Sequence, residues 1–199
     1  ILGYSGDIDA LARRRLLRYR DAKDEDCFDI PQPVIKALKR NEVYEMPSRK
    51  NLDCAGLFEV IGQMFEDLDD DAILPKDLYE ELQVLFKENP QIGFCKKIKE
   101  LGRLRMEDFL LLVFFCHQLV NKDDDDIRFG QMEDCFTTQA DYVVAKGRLR
   151  NSEHPLIIKK LIEHRCSDGI ADTSRYKLTE QTKRHLLAEM RLNIAEEKL

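Results

Sequence analysis

Residues 154–187 read HPLIIKKLIEHRCSDGIADTSRYKLTEQTKRHLL, and this stretch decides which fold we expect the chain to adopt. The segment LIIKKLIEHR is rich in β-branched residues in near-alternation with polar ones, which favours a strand or a helix end running into one. Ser, Asp and Gly in SDGIADTS are typical of a turn, and RYKLT then supplies a second strand. Thr179 is placed to cap a closing helix that starts with EQTKRHLL. The stretch therefore predicts a β-hairpin followed by a helix.

The hairpin is preceded by segments with helical periodicity. Apolar residues recur at spacings of three and four after Asp53, after Pro75 and from Phe94 to Leu101, with Gly102 placed as a left-handed helix end. The next segment, MEDFLLLVFFCHQLV, is apolar almost all round and is expected at the centre of the core, with His117 as a hydrogen-bonded core residue. IRFGQMEDCF predicts a short extended piece leading into a helix, and Thr138 is placed to cap QADYVVAKGRLRN.

The first fifty residues are rich in arginine. Asp7 or Asp9 is placed to cap a helix whose exposed face carries five arginines, with DAKDEDCFDIPQP as a loop behind it. The five are Arg13, Arg14, Arg15, Arg18 and Arg20. Pro33 is suited to open a short helix, and NEVYEMPSRKN has the composition of a linker. A solvated helix face is the simplest interpretation of the arginines, and a docking surface for an acidic partner is the alternative.

Composition and charge limit the classes of function. Of the 199 residues, 43% are hydrophobic and 35% are charged, and this hydrophobic content is sufficient for a packed core. Residues 1–50 carry +2, residues 51–140 carry −11 and residues 141–199 carry +3 within a total of −6. An acidic middle favours a basic protein partner over nucleic acid, and only the last third is suited to a phosphate backbone. No apolar run approaches the length of about 18 residues that a membrane span needs, so no membrane partner is expected.

Two resemblances rest on these motifs. The segment with LIE at 161–163 and YKLT at 176–179 resembles the wing of winged-helix domains, in which three helices, a strand, a turn, a strand and a helix follow one another. Across residues 51–190, the order of ENP, a helix ending in LG, LLLVFFCHQLVN, HPL, LIE and YKLT resembles the N-terminal region of certain bacterial AAA+ ATPases. In such proteins this region precedes the nucleotide-binding module.

The resemblance implies a mainly α fold, a helical bundle followed by a winged-helix-like subdomain with a small β-hairpin. We expect an arginine-rich helix and linker at 1–50, a helical subdomain at 51–102, a winged-helix-like subdomain at 103–192 and a tail at 193–199 toward a missing downstream module. The chain begins with Ile1 rather than Met, which favours a fragment of a longer protein.

The implied function is that of a non-catalytic accessory region that binds a protein client or a neighbouring subunit and regulates its own downstream ATPase module. The chain contains no G-x-x-x-x-G-K-[ST] and no apolar strand ending in paired carboxylates. ATP and magnesium are therefore expected only in the missing module. This fragment is not expected to be an enzyme, and whether the full-length protein is an ATPase stays open.

A DNA-binding winged helix is the alternative function. QADYVVAKGRLRN is then the recognition helix, with Lys146, Arg148 and Arg150 on phosphates and Gln139 at a base edge. The acidic body opposes this alternative, as do Asp168 and Asp172 in the turn of the wing.

Catalytic and metal sites are not expected. No motif pairs a Ser or Cys with a His. We interpret His154 as a loop or cap residue, His164 as the end of a strand and His185 as a surface residue. Two acidic runs, at 67–71 and 123–126, lack the glycine and closing glutamate of a calcium loop. Six cysteines without a Cys-x-x-Cys pair, and no export signal, predict a reduced cytoplasmic protein without zinc or another cofactor.

Overall fold

The computed structural model describes residues 5–21, 24–44, 48–167 and 169–190, and within these ranges the chain is mainly α, as predicted. The helices are α1 Ser5–Arg13, α2 Gln32–Lys39, α3 Cys54–Asp69, α4 Pro75–Glu88, α5 Gly93–Glu100, α6 Met106–Lys122, α7 Gln139–Arg150, α8 Pro155–Ile158 and α9 Glu180–Leu186. Two 3-10 helices cover Phe129–Cys135 and Ala188–Met190. The strands are β1 Arg18–Asp21, β2 Asp24–Asp29, β3 Ile127–Arg128, β4 Ile162–Ser167 and β5 Ile170–Leu178.

The chain forms two compact units. The smaller comprises Ile1–Ser48 and Glu66–Leu74, and the larger comprises Arg49–Phe65 and Pro75–Leu199. The boundary expected between residues 102 and 103 lies inside the larger unit, and the division of that unit into subdomains stays a prediction. The tail at 193–199 lies outside the described residues.

The smaller unit contains an antiparallel hairpin of β1 and β2 where the sequence predicted a continuing helix and a loop, so that prediction was wrong. The helix ends at Arg13, and Arg15 has a left-handed φ of 53° that turns the chain away from the helix axis. Cross-strand pairs stabilise the two strands, because Arg18 lies opposite Asp29 and Tyr19 lies opposite Phe28. These cross-strand pairs act between residues distant in sequence and outweigh local helix propensity.

The structure agrees only in part with the predicted N-terminal cap and with the predicted arginine-rich helix face. Asp7 lies inside the first turn of α1 rather than at its cap, and the side chain of Asp9 lies outside the described residues. The same holds for the side chains of Arg13 and Arg20. Arg18 lies on strand β1, where its guanidinium pairs with Asp70 at 2.9 Å, so it does not belong to a helix face.

The core of the larger unit is centred on α6. Every residue of this helix from Asp108 to Gln118 is buried, as its all-round apolar sequence predicted. Aromatic rings from α3 and α4 pack against it, with Phe65 at 5.6 Å from Phe114 and Tyr79 at 5.2 Å from Phe109. Each buried large apolar side chain contributes about 1.5–3 kcal/mol, so this helix anchors the unit.

Local signals in the sequence locate several helix ends correctly. Thr138 accepts a hydrogen bond from the backbone of Asp141, and Thr179 accepts one from the backbone of Thr182, so both predicted caps are confirmed. Helix α4 begins at Pro75, and Gly102 adopts φ +78° after α5, in the left-handed region that favours glycine.

The larger unit also contains a three-stranded antiparallel sheet with the order β3-β5-β4. The hairpin β4–β5 was predicted, and the extended piece before the 3-10 helix forms β3, with Ile127 opposite Tyr176. Of the two alternatives for LIIKKLIEHR, the structure has the helix end running into a strand, because residues 155–158 form the one-turn helix α8. Pro155 opens that helix and a left-handed Lys160 with φ 56° closes it, so the strand begins only at Ile162.

Candidate functional site

Helix α7 is the element to which the sequence assigned function, and one side of it is fixed in the core. Tyr142, Ala145 and Leu149 are buried and hold the helix against the rest of the unit. Because successive residues of an α-helix are rotated by about 100°, the opposite side consists of Ala140, Val143, Val144 and Gly147. We call this set the outer face of α7.

The outer face of α7 is small and apolar. Val143 and Val144 are exposed to 57% and 55%, and the space beyond Gly147 is open, because a Cβ added there meets no atom within 4 Å. Ala140 is exposed as well. None of these four side chains can donate a hydrogen bond to a phosphate oxygen or to a base edge, and such donors are what nucleic acid requires of a recognition helix.

The four residues predicted to contact nucleic acid do not form one row. Helix geometry puts Gln139, Lys146 and Arg150 along one edge of the outer face and Arg148 along the opposite edge, next to Asp141. Gln139, Arg148 and Arg150 are exposed, and Lys146 is half-buried. The structure therefore groups three of the four and separates Arg148, which lies near enough to the buried His154 to influence its charge.

The grouped cations lie over an aromatic ring. The Nζ atom of Lys146 is 5.2 Å from the centre of the Phe129 ring, and the guanidinium carbon of Arg150 is also 5.2 Å from it. Phe129 itself packs on the fully buried Tyr176 with ring centres 5.2 Å apart. A cation above an aromatic ring gains about 0.5–1 kcal/mol at a solvent-exposed site, which favours these positions of the two side chains without neutralising their charge. We call Lys146, Arg150 and Phe129 the cation–ring cluster.

A shallow depression of about 420 Å³ adjoins the cation–ring cluster, and Phe129 lines it together with residues of β3 and β5. Arg128 and Arg175 contribute guanidinium groups to its wall, and Arg175 is paired with Asp126 at 3.0 Å. Asp172 also lines it, and hydrogen bonds from the hydroxyl and backbone of Ser174 lower the pKa of this carboxyl, so it stays charged. The other aspartate expected to oppose nucleic acid, Asp168, lies outside the described residues.

The structure brings together one serine–histidine pair that sequence reasoning missed. Ser152 Oγ lies 2.9 Å from Nε2 of His164, and Ser152 has a left-handed φ of 60°. A general base of this kind needs a partner at Nδ1 to orient it, yet Nδ1 of His164 is buried with no hydrogen bond to any described residue. The pair therefore ties the end of α7 to β4, where His164 lies inside the strand rather than at its end as expected.

The buried His154 behaves as the predicted cap residue. Its Nδ1 accepts the backbone N–H of Leu156 at 3.3 Å, which leaves the proton on Nε2, 3.4 Å from a carboxylate oxygen of Asp108. Arg105 donates to both oxygens of that carboxylate at 3.0 and 3.2 Å. Burial lowers the pKa of His154 more than the nearby Asp108 raises it. With every polar group engaged in the protein, this cluster holds α8 to the start of α6.

His117 is the hydrogen-bonded core histidine that the sequence predicted. The amide nitrogen of Asn121 donates to the Phe58 carbonyl at 2.8 Å and lies 2.8 Å from His117 Nδ1, which therefore accepts. The imidazole stacks on Phe65 at 5.1 Å, and burial lowers the pKa of His117 to about 4. A neutral, enclosed ring of this kind locks α3 to α6 and has no access to a substrate.

Among the described residues, no three His, Cys, Asp or Glu side chains are grouped so as to hold a metal ion. No helix in those ranges combines the length and apolar character required to cross a membrane. No family model, curated protein or solved structure matches the chain.

Proposed function

We propose that this chain is a non-catalytic accessory region of a bacterial AAA+ ATPase that binds a protein partner, either a client or a neighbouring subunit. Its residues from α6 to α9 would form the winged-helix-like part, and the nucleotide-binding module would lie downstream. The observation that carries the proposal is the character of α7, which offers a small apolar surface with Lys146 and Arg150 held over the Phe129 ring along one edge.

The order of elements supports the winged-helix part of the proposal. Three helical segments, α6, the 3-10 helix at 129–135 and α7, precede the hairpin β4–β5, and α9 follows it. The short strand β3 joins the hairpin by pairing with β5, so the segment before α7 and the wing belong to one sheet. The one-turn helix α8 between α7 and β4 is an addition to that order.

Protein binding fits the exposed side chains better than catalysis does. His117 and His154 are enclosed, and His164 has no partner at Nδ1 among the residues that the structure describes. The apolar exposure of Val143 and Val144 on adjacent positions is the kind of surface that partners cover. Regulation of an attached motor through such a surface needs no reacting group in this region.

The test begins with the gene. We expect the reading frame after residue 199 to contain a phosphate-binding loop of the G-x-x-x-x-G-K-[ST] type followed by a strand ending in carboxylates. Purified full-length protein should then hydrolyse ATP, whereas the 199-residue chain should not. A downstream sequence without a phosphate-binding loop refutes the ATPase part of the proposal, and turnover of ATP by the 199-residue chain refutes its non-catalytic part.

DNA binding is the second candidate, and one observation favours it. Lys146 and Arg150 carry no ion pair to any residue that the structure describes, so both charges are available to phosphates. The apolar outer face between them and Arg148 opposes it, because the most protruding positions of the helix bear no donor. A titration of labelled duplex at low ionic strength decides, since phosphate contacts produce binding that weakens steeply with added salt.

A further inference from the structure

The two cations of the cation–ring cluster form no ion pair with any residue that the structure describes. Several other cations of the same unit are paired, among them Lys177 at 3.1 Å from Glu163 and Lys183 at 2.7 Å from Asp125. Lys146 and Arg150 lie four residues apart on one edge of α7, both over the Phe129 ring, and Lys146 also lies over the Tyr142 ring. Two neighbouring cations without an ion pair to the described part of the chain are suited to receive a carboxylate from a partner.

The apolar face beside these cations permits close approach. Ala140 and Gly147 are small, and the side chains of the two valines between them are exposed to solvent. A helix packs at about 8–10 Å from another when the residues at the contact are small. The outer face of α7 is therefore shaped for an apolar helical stripe rather than for a phosphate backbone.

The charges around the outer face differ from edge to edge. The edge with Lys146 and Arg150 is basic, and Arg128 stands nearby in the depression lined by Phe129. The opposite edge holds Asp141, whose carboxylate accepts a hydrogen bond from the Thr138 hydroxyl at 2.6 Å, together with Arg148. Only the first edge presents cations without a balancing carboxylate on the same helix, so a partner's acidic side must lie along it.

We propose that the outer face of α7 and the cation–ring cluster bind an acidic amphipathic helix of a partner protein. The apolar stripe of that helix lies on Val143 and Val144, and its carboxylates pair with Lys146 and Arg150. This inference specifies the class of protein partner for the proposed function. It rests on one part of that function, namely that the chain binds a protein. Duplex DNA is a poorer occupant, because the protruding side chains of Val143 and Val144 bear no hydrogen-bond donor for a phosphate or a base edge.

The experiment measures binding of labelled probes to the 199-residue chain by fluorescence anisotropy. The probes are an amphipathic helical peptide of leucine, alanine and glutamate, the same peptide with glutamine in place of glutamate, and a short DNA duplex. The test variant is Lys146→Gln/Arg150→Gln, and the matched control is Arg148→Gln on the opposite edge of the same helix. Far-ultraviolet circular dichroism of each variant verifies that the fold is retained.

We expect the glutamate peptide to bind, the glutamine peptide to bind more weakly, and the double variant to lose about tenfold in affinity for the glutamate peptide. Arg148→Gln should bind it as the unchanged chain does. The inference is overturned if the glutamate peptide does not bind, if both peptides bind equally, if the double variant retains full affinity, or if the duplex binds more tightly than the peptide. Each of these outcomes leaves the ATPase proposal standing, because that depends on the downstream sequence.

Discussion

Protonation of His117 should destabilise the larger unit. The imidazole accepts a hydrogen bond at Nδ1 from Asn121 and is stacked on Phe65 in a site where it is 2% exposed. A second proton at Nδ1 would face the N–H of that amide, and burial leaves the added charge without water. Lowering the pH therefore forces either protonation of a site built for the neutral ring or unfolding.

The size and direction of the effect follow from the two pKa values. Burial, with a smaller contribution from Lys122, lowers the pKa of His117 from 6.5 to about 4. Because the unfolded chain takes up the proton first as the pH falls, the stabilisation is fully present above pH 6.5 and is lost between 6.5 and about 4. Each pH unit in that window is worth about 1.4 kcal/mol, so the whole interval removes about 3 kcal/mol.

Urea unfolding at about pH 7.5 and about pH 5 measures this loss. His117→Gln is the reference variant, because its amide oxygen can still accept from Asn121 but does not titrate. Since His154 also has a lowered pKa and contributes with the same sign in both proteins, the difference between them isolates His117. We expect the unchanged chain to lose about 2 kcal/mol more than the variant over this interval. Equal losses would refute the reasoning.

Three further substitutions have defined outcomes. Lys183→Met leaves the half-buried carboxylate of Asp125 without its cation at 2.7 Å. We expect urea unfolding at neutral pH to show that the free energy of unfolding falls by about 3 kcal/mol. The control is the same change at an exposed lysine. Burial and then the charge of Glu189 raise the pKa of Cys54 to about 11, so Glu189→Gln should speed alkylation of that thiol by iodoacetamide at fixed pH. An unchanged rate would contradict that role. Gly62→Ala places a Cβ 2.8 Å from the amide nitrogen that hydrogen-bonds to the core histidine, and its thermal midpoint should fall.

The parts of the fold that the sequence predicted are those determined by neighbouring residues. Thr138 and Thr179 cap helices through backbone groups three positions away, and Pro75 and Gly102 act on the φ angles of their own positions. The burial of α6 could also be predicted from the sequence, because a helix that is apolar all round is stable only inside a core. Neither inference required knowledge of a distant contact.

The parts that could not be predicted depend on residues that meet only after folding. Strands β1 and β2 are highly charged and carry no alternating apolar pattern, and the pairing of Arg18 with Asp29 is visible only once the register is known. The contact between Ser152 and His164 likewise requires that α7 end beside β4. The one sequence signal for it was the short polar NSE segment before HPL, which marks a turn but does not say what the turn faces.

The net charge of residues 141–199 does not tell where its cations lie or which of them are paired. That segment carries +3, and on this count alone it is the part of the chain suited to a phosphate backbone. In the structure, Lys177 and Lys183 are held by carboxylates of the same unit and Arg175 is paired with Asp126, so three of its cations are already occupied. Two of the remaining cations, Lys146 and Arg150, lie over the Phe129 ring at one edge of an apolar helix face. A charge placed in that way suits one or two carboxylates on a partner helix, whereas a nucleic acid backbone needs cations spread along its length.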